Sequence, residues 1–481
     1  MLSDGLKYQD SRMATCEEMK QDLAPFALHD AAAKSKGGPV LLRDGDTVYT
    51  DPSDSHSLIV GDTGSMKTLR FVLPLIYSCA AADESMVIVD PKGELARKSE
   101  SFLSAKGYKT VIINMRDPQR SPDTWNPMGV IERAYKSGEE GQQKAVLQLN
   151  DMLNDIFFRR VDTKDPYWNE SAGQLALGIC LLLLALGEKL NMKNLLKWRY
   201  EKLADGTLDK CFRNLPTDGE IYQNLAGYLG MTAENTKSCI RSTFDQLVRV
   251  FKSAPALTEM LNDTSFDIER IGEAKAAVFV VIPDEKTTFH FLATLFISQC
   301  YTTLLETAER HGGSLPRRTN IILEEFCNLP ALGDIVPMIT AARSRNIRLH
   351  MVIQSYGQLV EKYGENVSRA ILDNCGNMIY LHTREMDFLT YISRLAGNNE
   401  YGRPLISTSR LQRLQKNETI IFHGRCCPYL ADDVPLIFDY PIKLGTELRS
   451  APQKPKKEKK RRRIGDVLKP PELSGDTDVW D

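Results

Sequence analysis

One octapeptide constrains this chain more than any other feature: Gly61-Asp62-Thr63-Gly64-Ser65-Met66-Lys67-Thr68. It follows the apolar run Leu58-Ile59-Val60 and opens a helix-like stretch. A strand that turns through glycines into a helix converges several backbone N–H groups at the positive end of the helix dipole. That is the arrangement of a phosphate-binding P-loop, whose pattern asks for Gly where Met66 stands. Gly61 and Gly64 allow the tight turn, and Thr63, Ser65 and Met66 complete the backbone cradle. Lys67 is placed to reach the β- and γ-phosphates of a nucleoside triphosphate, and Thr68 to ligate Mg2+. A left-handed Met66 costs roughly 1–2 kcal/mol. A Gly/Ser-rich turn with no ligand is the plain alternative.

A second run supplies carboxylates. Asn320-Ile321-Ile322-Leu323 reads as a buried parallel strand tipped by Glu324-Glu325-Phe326. P-loop ATPases hold Mg2+ with an acid at such a tip. Glu324 takes that position, one methylene longer than the usual Asp, and Glu325 suits activation of the attacking water. Read alone, an acidic pair after an apolar run is a solvated strand end; the P-loop changes its meaning. The strand Arg348–Ile353 ends in Gln354, an ordinary polar cap or a sensor of the γ-phosphate. Arg343 and Arg345 precede that strand. In a ring of subunits they are candidates to reach a neighbour's nucleotide; in a monomer they are surface charge.

The chain has 481 residues, 42% apolar and 26% charged, enough for two or three domains. A net charge of −2 does not mark a nucleic-acid binder, although averages hide local patches. The ten cysteines show no zinc spacing and read as free thiols of a reducing compartment. The seven histidines form no ligand pair, so Mg2+ is the one metal expected. The first ten residues lack the apolar core of a signal peptide. The greasiest stretch, Leu175 to Leu186, is short against the roughly 20 residues that span a bilayer, and reads as a core helix, with Asp165-Pro166-Tyr167-Trp168 as a helix start before it.

Along the chain, residues 1–37 read as a helical or loose arm. A β-turn at Asp44-Gly45-Asp46 joins Val40–Leu42 to Thr47–Thr50. Pro74 falls inside the helix after the P-loop and is expected to kink it. Met86–Val89 is a strand ending in Asp90-Pro91-Lys92-Gly93-Glu94; a helix to about Ala105 and a strand Thr110–Asn114 follow. This alternation predicts an α/β fold with a mainly parallel sheet. After Trp125-Asn126-Pro127 the pattern turns helical, giving an all-α domain, 128–262, inserted between the two segments of the α/β domain, 38–127 and 263–445. Strands resume at Ala277–Ile282, with a long helix from about Thr288 to Arg310. Met378–His382 and Glu418–His423 are the last strands expected. Residues 446–481 form a separate tail: Lys454 to Arg463 holds eight basic residues, and an acidic end follows. The basic run suits DNA phosphates, anionic lipid or an acidic partner, or serves only as a solvated linker.

Taken together, the P-loop, the Asp90–Glu94 segment, Trp125-Asn126-Pro127, Pro283-Asp284, Glu324-Glu325-Phe326 and the Arg343-to-Gln354 stretch resemble the TraG-like type IV coupling proteins. These are the DNA-pumping ATPases of bacterial conjugation. The likeness spans roughly 50 to 440. It implies a RecA-like P-loop NTPase domain with the all-α domain inserted, and ATP with Mg2+ as the ligands. It also implies a homo-oligomer, a hexameric ring with nucleotide at its interfaces and DNA in its channel. The partners implied are a relaxase–DNA complex, facing residues 128–262, and the type IV secretion channel. Many relatives begin with transmembrane helices and this chain does not. The expectation is therefore a cytoplasmic protein, attached to the plasma membrane through a partner protein. Met66 and Glu324 depart from the family pattern and bear on turnover. Two other readings stand beside the motor: a non-hydrolysing docking platform for the relaxosome, and a DNA pump of the FtsK-like class.

Overall fold

The computed structural model describes residues 11–157, 166–285 and 287–451. Three short strands near the N-terminus, β1 (Ala24–Ala27), β2 (Val40–Asp44) and β3 (Thr47–Thr50), pair antiparallel in the order β1-β3-β2. Gly45, at φ 58°, makes the β2–β3 turn. A helix, Cys16–Asp22, precedes them, opened by a Thr15–Glu18 capping box. The arm expected from sequence is therefore partly helical, as read, but it also gives a strand to this sheet.

The central sheet has nine strands: β4 (Ser57–Gly61), β5 (Ser85–Asp90), β6 (Lys109–Asn114), β7 (Ala276–Val281), β8 (Thr319–Leu323), β9 (Ile347–Ile353), β10 (Asn377–His382), β11 (Thr419–His423) and β12 (Tyr429–Ala431). Their order is β12-β11-β10-β4-β9-β8-β5-β7-β6. The seven from β10 to β6 run parallel; β11 and β12 add an antiparallel edge. β4, β5, β7, β8 and β9 are buried at every residue, as strands covered on both faces must be. Leu58 and Val60 of β4 join one core, and Ile59 joins the other, the period-2 alternation of a strand between two layers.

Between β6 and β7 the described residues hold no strand, only helices from Gly129 to Met260. This is a RecA-like α/β fold with a helical domain inserted. Trp125-Asn126-Pro127 forms the junction. Trp125 is fully buried, edge-on to Phe296 with ring centroids 5.1 Å apart. Its Nε1 donates to Gln299 Oε1 at 2.9 Å, and Gln299 Nε2 donates to the Pro127 carbonyl at 2.7 Å. Asn126 Nδ2 donates to the Leu190 carbonyl at 2.8 Å, inside the insert.

Two expectations, for Pro74 and for residues 446–451, need correction. Pro74 is absorbed by a wide π turn, Thr68–Val72, ahead of the helix Leu73–Ala81 that has Pro74 in its first turn. The Leu-rich helix runs Tyr167–Ala185, opening within the start read at Asp165-Pro166-Tyr167-Trp168. By length and composition alone it is the one helix among the described residues that meets the requirement for crossing a bilayer, but two thirds of its apolar window is buried inside the protein. Residues 446–451 are docked rather than part of a tail. Arg449 pairs with Glu100 at 2.6 Å and bonds the Thr110 carbonyl at 2.8 Å, on the outer edge of β6. The basic run 454–463 lies outside the described residues.

Candidate nucleotide site

The carboxyl ends of β4, β9, β8 and β5 lie side by side in that order, with Val60 opposite Ile353, Leu323 opposite Met351, and Val89 opposite Leu323. Each strand therefore delivers its following residues to one edge of the sheet, where α/β folds bind ligands. The loop after β4 is closed by Ser65, whose Oγ donates to the Asp62 carbonyl at 2.8 Å. A Cβ on Gly61 would lie 2.5 Å from that Oγ, so a side chain there would push the Ser65 hydroxyl out of its bond. Asp62 ties the loop to β10: its N–H donates to the His382 carbonyl at 2.9 Å, and its carboxylate meets His382 Nδ1 at 2.8 Å.

Gly64 has φ 86° and Met66 has φ 67°. Met66 thus holds the left-handed conformation that favours glycine. Met66→Gly is expected to stabilise the fold by up to about 1 kcal/mol, the relief of strain being offset in part by the freer unfolded chain. Thermal denaturation checks this; a clear loss of stability would show that Met66 packing outweighs its backbone strain.

Lys67 is 9% exposed, and its Nζ is latched onto the loop's own carbonyls, those of Gly61 and of Asp62, the latter at 2.9 Å. Burial lowers its pKa, opposed by the charges of Glu325, Asp62 and Glu324. Among the described residues no backbone carbonyl accepts from the amides of Gly64, Met66, Lys67 or Thr68. Thr68 Oγ1 donates to Glu324 Oε1 at 2.6 Å. Gln354 Nε2 donates to Glu325 Oε2 at 2.8 Å. Glu325 itself sits at φ 53°, a second strained residue of the site. A cavity of about 310 Å3 is lined by Thr63 to Leu69, Pro91, Lys92, Glu94, Glu324, Glu325 and Gln354.

Burial of the carboxyl group raises the Glu324 pKa to about 7; Thr68 opposes this, and Asp90, Glu325 and Glu94 add to it. Asp90 is raised to about 6 by burial, against the backbone N–H groups it accepts from. A carboxyl whose folded pKa exceeds its unfolded value stabilises the fold at low pH, and that contribution is lost as pH rises through the folded value. The nucleotide-free protein is therefore expected to lose stability between about pH 4 and pH 7 through these two groups. Glu324→Gln should raise stability at pH 8 by on the order of 1–2 kcal/mol and change it little at pH 5. Melting curves at the two pH values test this; an equal effect at both would contradict it.

Four orphan amides, an ammonium, a hydroxyl and two carboxylates around one cavity suit a nucleoside triphosphate and a hard divalent cation. Residues 9–425 match the family described as type IV secretory system conjugative DNA transfer. The chain belongs to that family. The conjugal transfer protein TraG of Rhizobium radiobacter is 22% identical over 419 residues, covering 83% of this chain and 62% of TraG. The chain spans about three fifths of the length of the curated TraG proteins it matches. Plasmid coupling protein TrwB, in complex with the non-hydrolysable ATP analogue ADPNP, aligns at a TM-score of 0.62 and 17% identity, covering 89% of this chain and 94% of that one. TrwB in complex with ADP and Mg2+ aligns at 0.61 and 16%, with coverages of 89% and 94%. At these identities the likeness establishes the fold.

In this member of the conjugative DNA transfer family, Gly61, Thr63, Gly64, Ser65, Met66, Lys67, Thr68, Glu324, Glu325 and Gln354 come together at one sheet edge. Arg343 and Arg345 do not. They form a turn before β9, at the opposite end of a seven-residue strand from Gln354, roughly 20 Å away. Lys92 and Glu94 line the cavity although neither stands among the residues read as functional from sequence. The signal was the Asp90–Glu94 segment, which the sequence marks as a landmark but to which it attaches no chemistry.

Proposed function

We propose that this protein is an ATP-dependent DNA translocase that couples a relaxase–DNA complex to a type IV secretion channel in conjugation. The observation that carries the reading is the 2.6 Å bond between the P-loop hydroxyl of Thr68 and the strand-tip carboxylate of Glu324, with Gln354 holding Glu325 beside it. Family membership and the nucleotide complexes of TrwB support it. Bound ATP and Mg2+ supply the phosphoanhydride and the Lewis acid. Lys67 leaves its loop carbonyls to offset phosphate charge. Thr68 and Glu324 hold the cation. Glu325, oriented by Gln354, accepts the proton of the attacking water. Arg343 and Arg345 are too far to act within their own subunit, so their proposed role is toward a neighbour's nucleotide in a hexameric ring. The helical insert, 128–262, faces the relaxase, and the α/β segments 38–127 and 263–445 carry the motor. The protein works in the cytoplasm, held at the plasma membrane by a partner protein.

A second reading is a docking platform that binds nucleotide without hydrolysing it. Strain at Met66 and the latched Lys67 favour it. DNA decides between them. The motor reading expects ATP hydrolysis by the purified protein to rise at least about tenfold when DNA is added, single- and double-stranded DNA being tried in turn. Tight nucleotide binding with no hydrolysis under any DNA condition would favour the platform.

A further inference from the structure

The Asp90–Glu94 tip of β5 has no part in the chemistry above, yet it is built as firmly as the P-loop. Asp90 is fully buried, and its two carboxylate oxygens accept from the Glu94 N–H at 3.1 Å and the Ala96 N–H at 2.8 Å. These bonds pin residues 91–93 to the start of the helix Glu94–Ala105. Gly93 takes φ 67°, a left-handed conformation that favours glycine, and a Cβ there would press on Val281 Cγ1 at 3.3 Å. Glu94 is engaged by Lys98. Lys92 is exposed and, among the described residues, makes no ion pair, while it lines the same cavity as Lys67, Glu324, Glu325 and Gln354.

Its place in the sheet says which part of a ligand it meets. β5 stands three strands from β4, about 14 Å at the usual inter-strand spacing. P-loop amides cradle the inner phosphates, and the loop lysine reaches outward from them. The tips of β9 and β8, with Gln354, Glu324 and Glu325, lie between the P-loop and Lys92. Lys92 therefore approaches from the far end, where only the terminal phosphoryl group extends. The charges agree. Glu94, Glu324 and Glu325 face the cavity, and Lys67 alone does not balance them against a polyanion.

We propose that Lys92 is a second phosphate-binding residue that contacts the terminal phosphoryl group, so that the site distinguishes triphosphate from diphosphate, with Asp90 as its positioning residue. This rests on the nucleotide-site reading above. The test is equilibrium binding of a fluorescent non-hydrolysable ATP analogue and of fluorescent ADP, both with Mg2+, to the full chain. Lys92→Met is expected to weaken the triphosphate about tenfold and ADP less than twofold, Lys92→Arg to restore most of the difference, and Asp90→Asn to give a smaller but equally selective loss. Equal weakening of both nucleotides, or of neither, while the unsubstituted protein binds them, would overturn the proposal and leave the nucleotide site standing. Failure of the unsubstituted protein to bind either nucleotide would overturn both. Because Lys92 is exposed, its substitution leaves folding intact, which the melting temperature confirms.

Discussion

Lys67→Ala is expected to weaken MgATP binding by about 100-fold or more while leaving the nucleotide-free fold unharmed. A buried ammonium that donates to phosphate oxygens makes charge-assisted hydrogen bonds, worth about 1.5–3 kcal/mol before the added Coulomb attraction. In the nucleotide-free protein the same ammonium only satisfies the carbonyls of Gly61 and Asp62, and burial works against its charge. Its loss should cost the free protein little. The paired measurement is the melting temperature with and without MgATP: the unsubstituted protein gains stability from the ligand and the variant does not. A variant that still responds to MgATP would place the nucleotide elsewhere.

The second large effect belongs to Glu325. Glu325→Gln is expected to slow hydrolysis by about 10²–10³-fold, the range of a lost general base, with nucleotide affinity within about threefold of normal. The replacement keeps the shape and leaves a carbonyl to accept from Gln354, so the bond at 2.8 Å survives and only the proton acceptor is lost. Single-turnover kinetics separate the two quantities. Equal losses of affinity and rate would mean that Glu325 holds the site together and does not act on water.

Much of this was legible in the sequence because the decisive strands are short, mostly apolar and bounded by turn residues. The strands β4, β5, β8 and β9 are such runs, and each ends in the residues that form the site. β1 and β12 were missed because four- and three-residue strands of mixed burial leave no period to read. The start of the helix Tyr167–Ala185 was legible in Asp165-Pro166-Tyr167-Trp168, where proline suits a helix opening, although the turns that follow are mostly polar and the leucines come only later. Lys92 lies in the Asp90–Glu94 landmark, but nothing local says that it faces the P-loop. It joins the site only because β5 pairs with β8, a nonlocal fact that spacing along the chain does not contain. Arg343 and Arg345 teach the converse. In a parallel sheet, residues before a strand and residues after it lie at opposite edges, so nearness in sequence to Gln354 placed them far from it in space.

The central claim is that the tips of β4, β8 and β9 form one hydrolytic nucleotide site. It is tested most directly by steady-state ATP hydrolysis of the purified protein with DNA, measured beside Glu325→Gln at matched nucleotide occupancy. The expected result is turnover that requires Mg2+, rises with DNA and falls at least about 100-fold in the variant. Turnover that is unchanged in the variant would contradict the account.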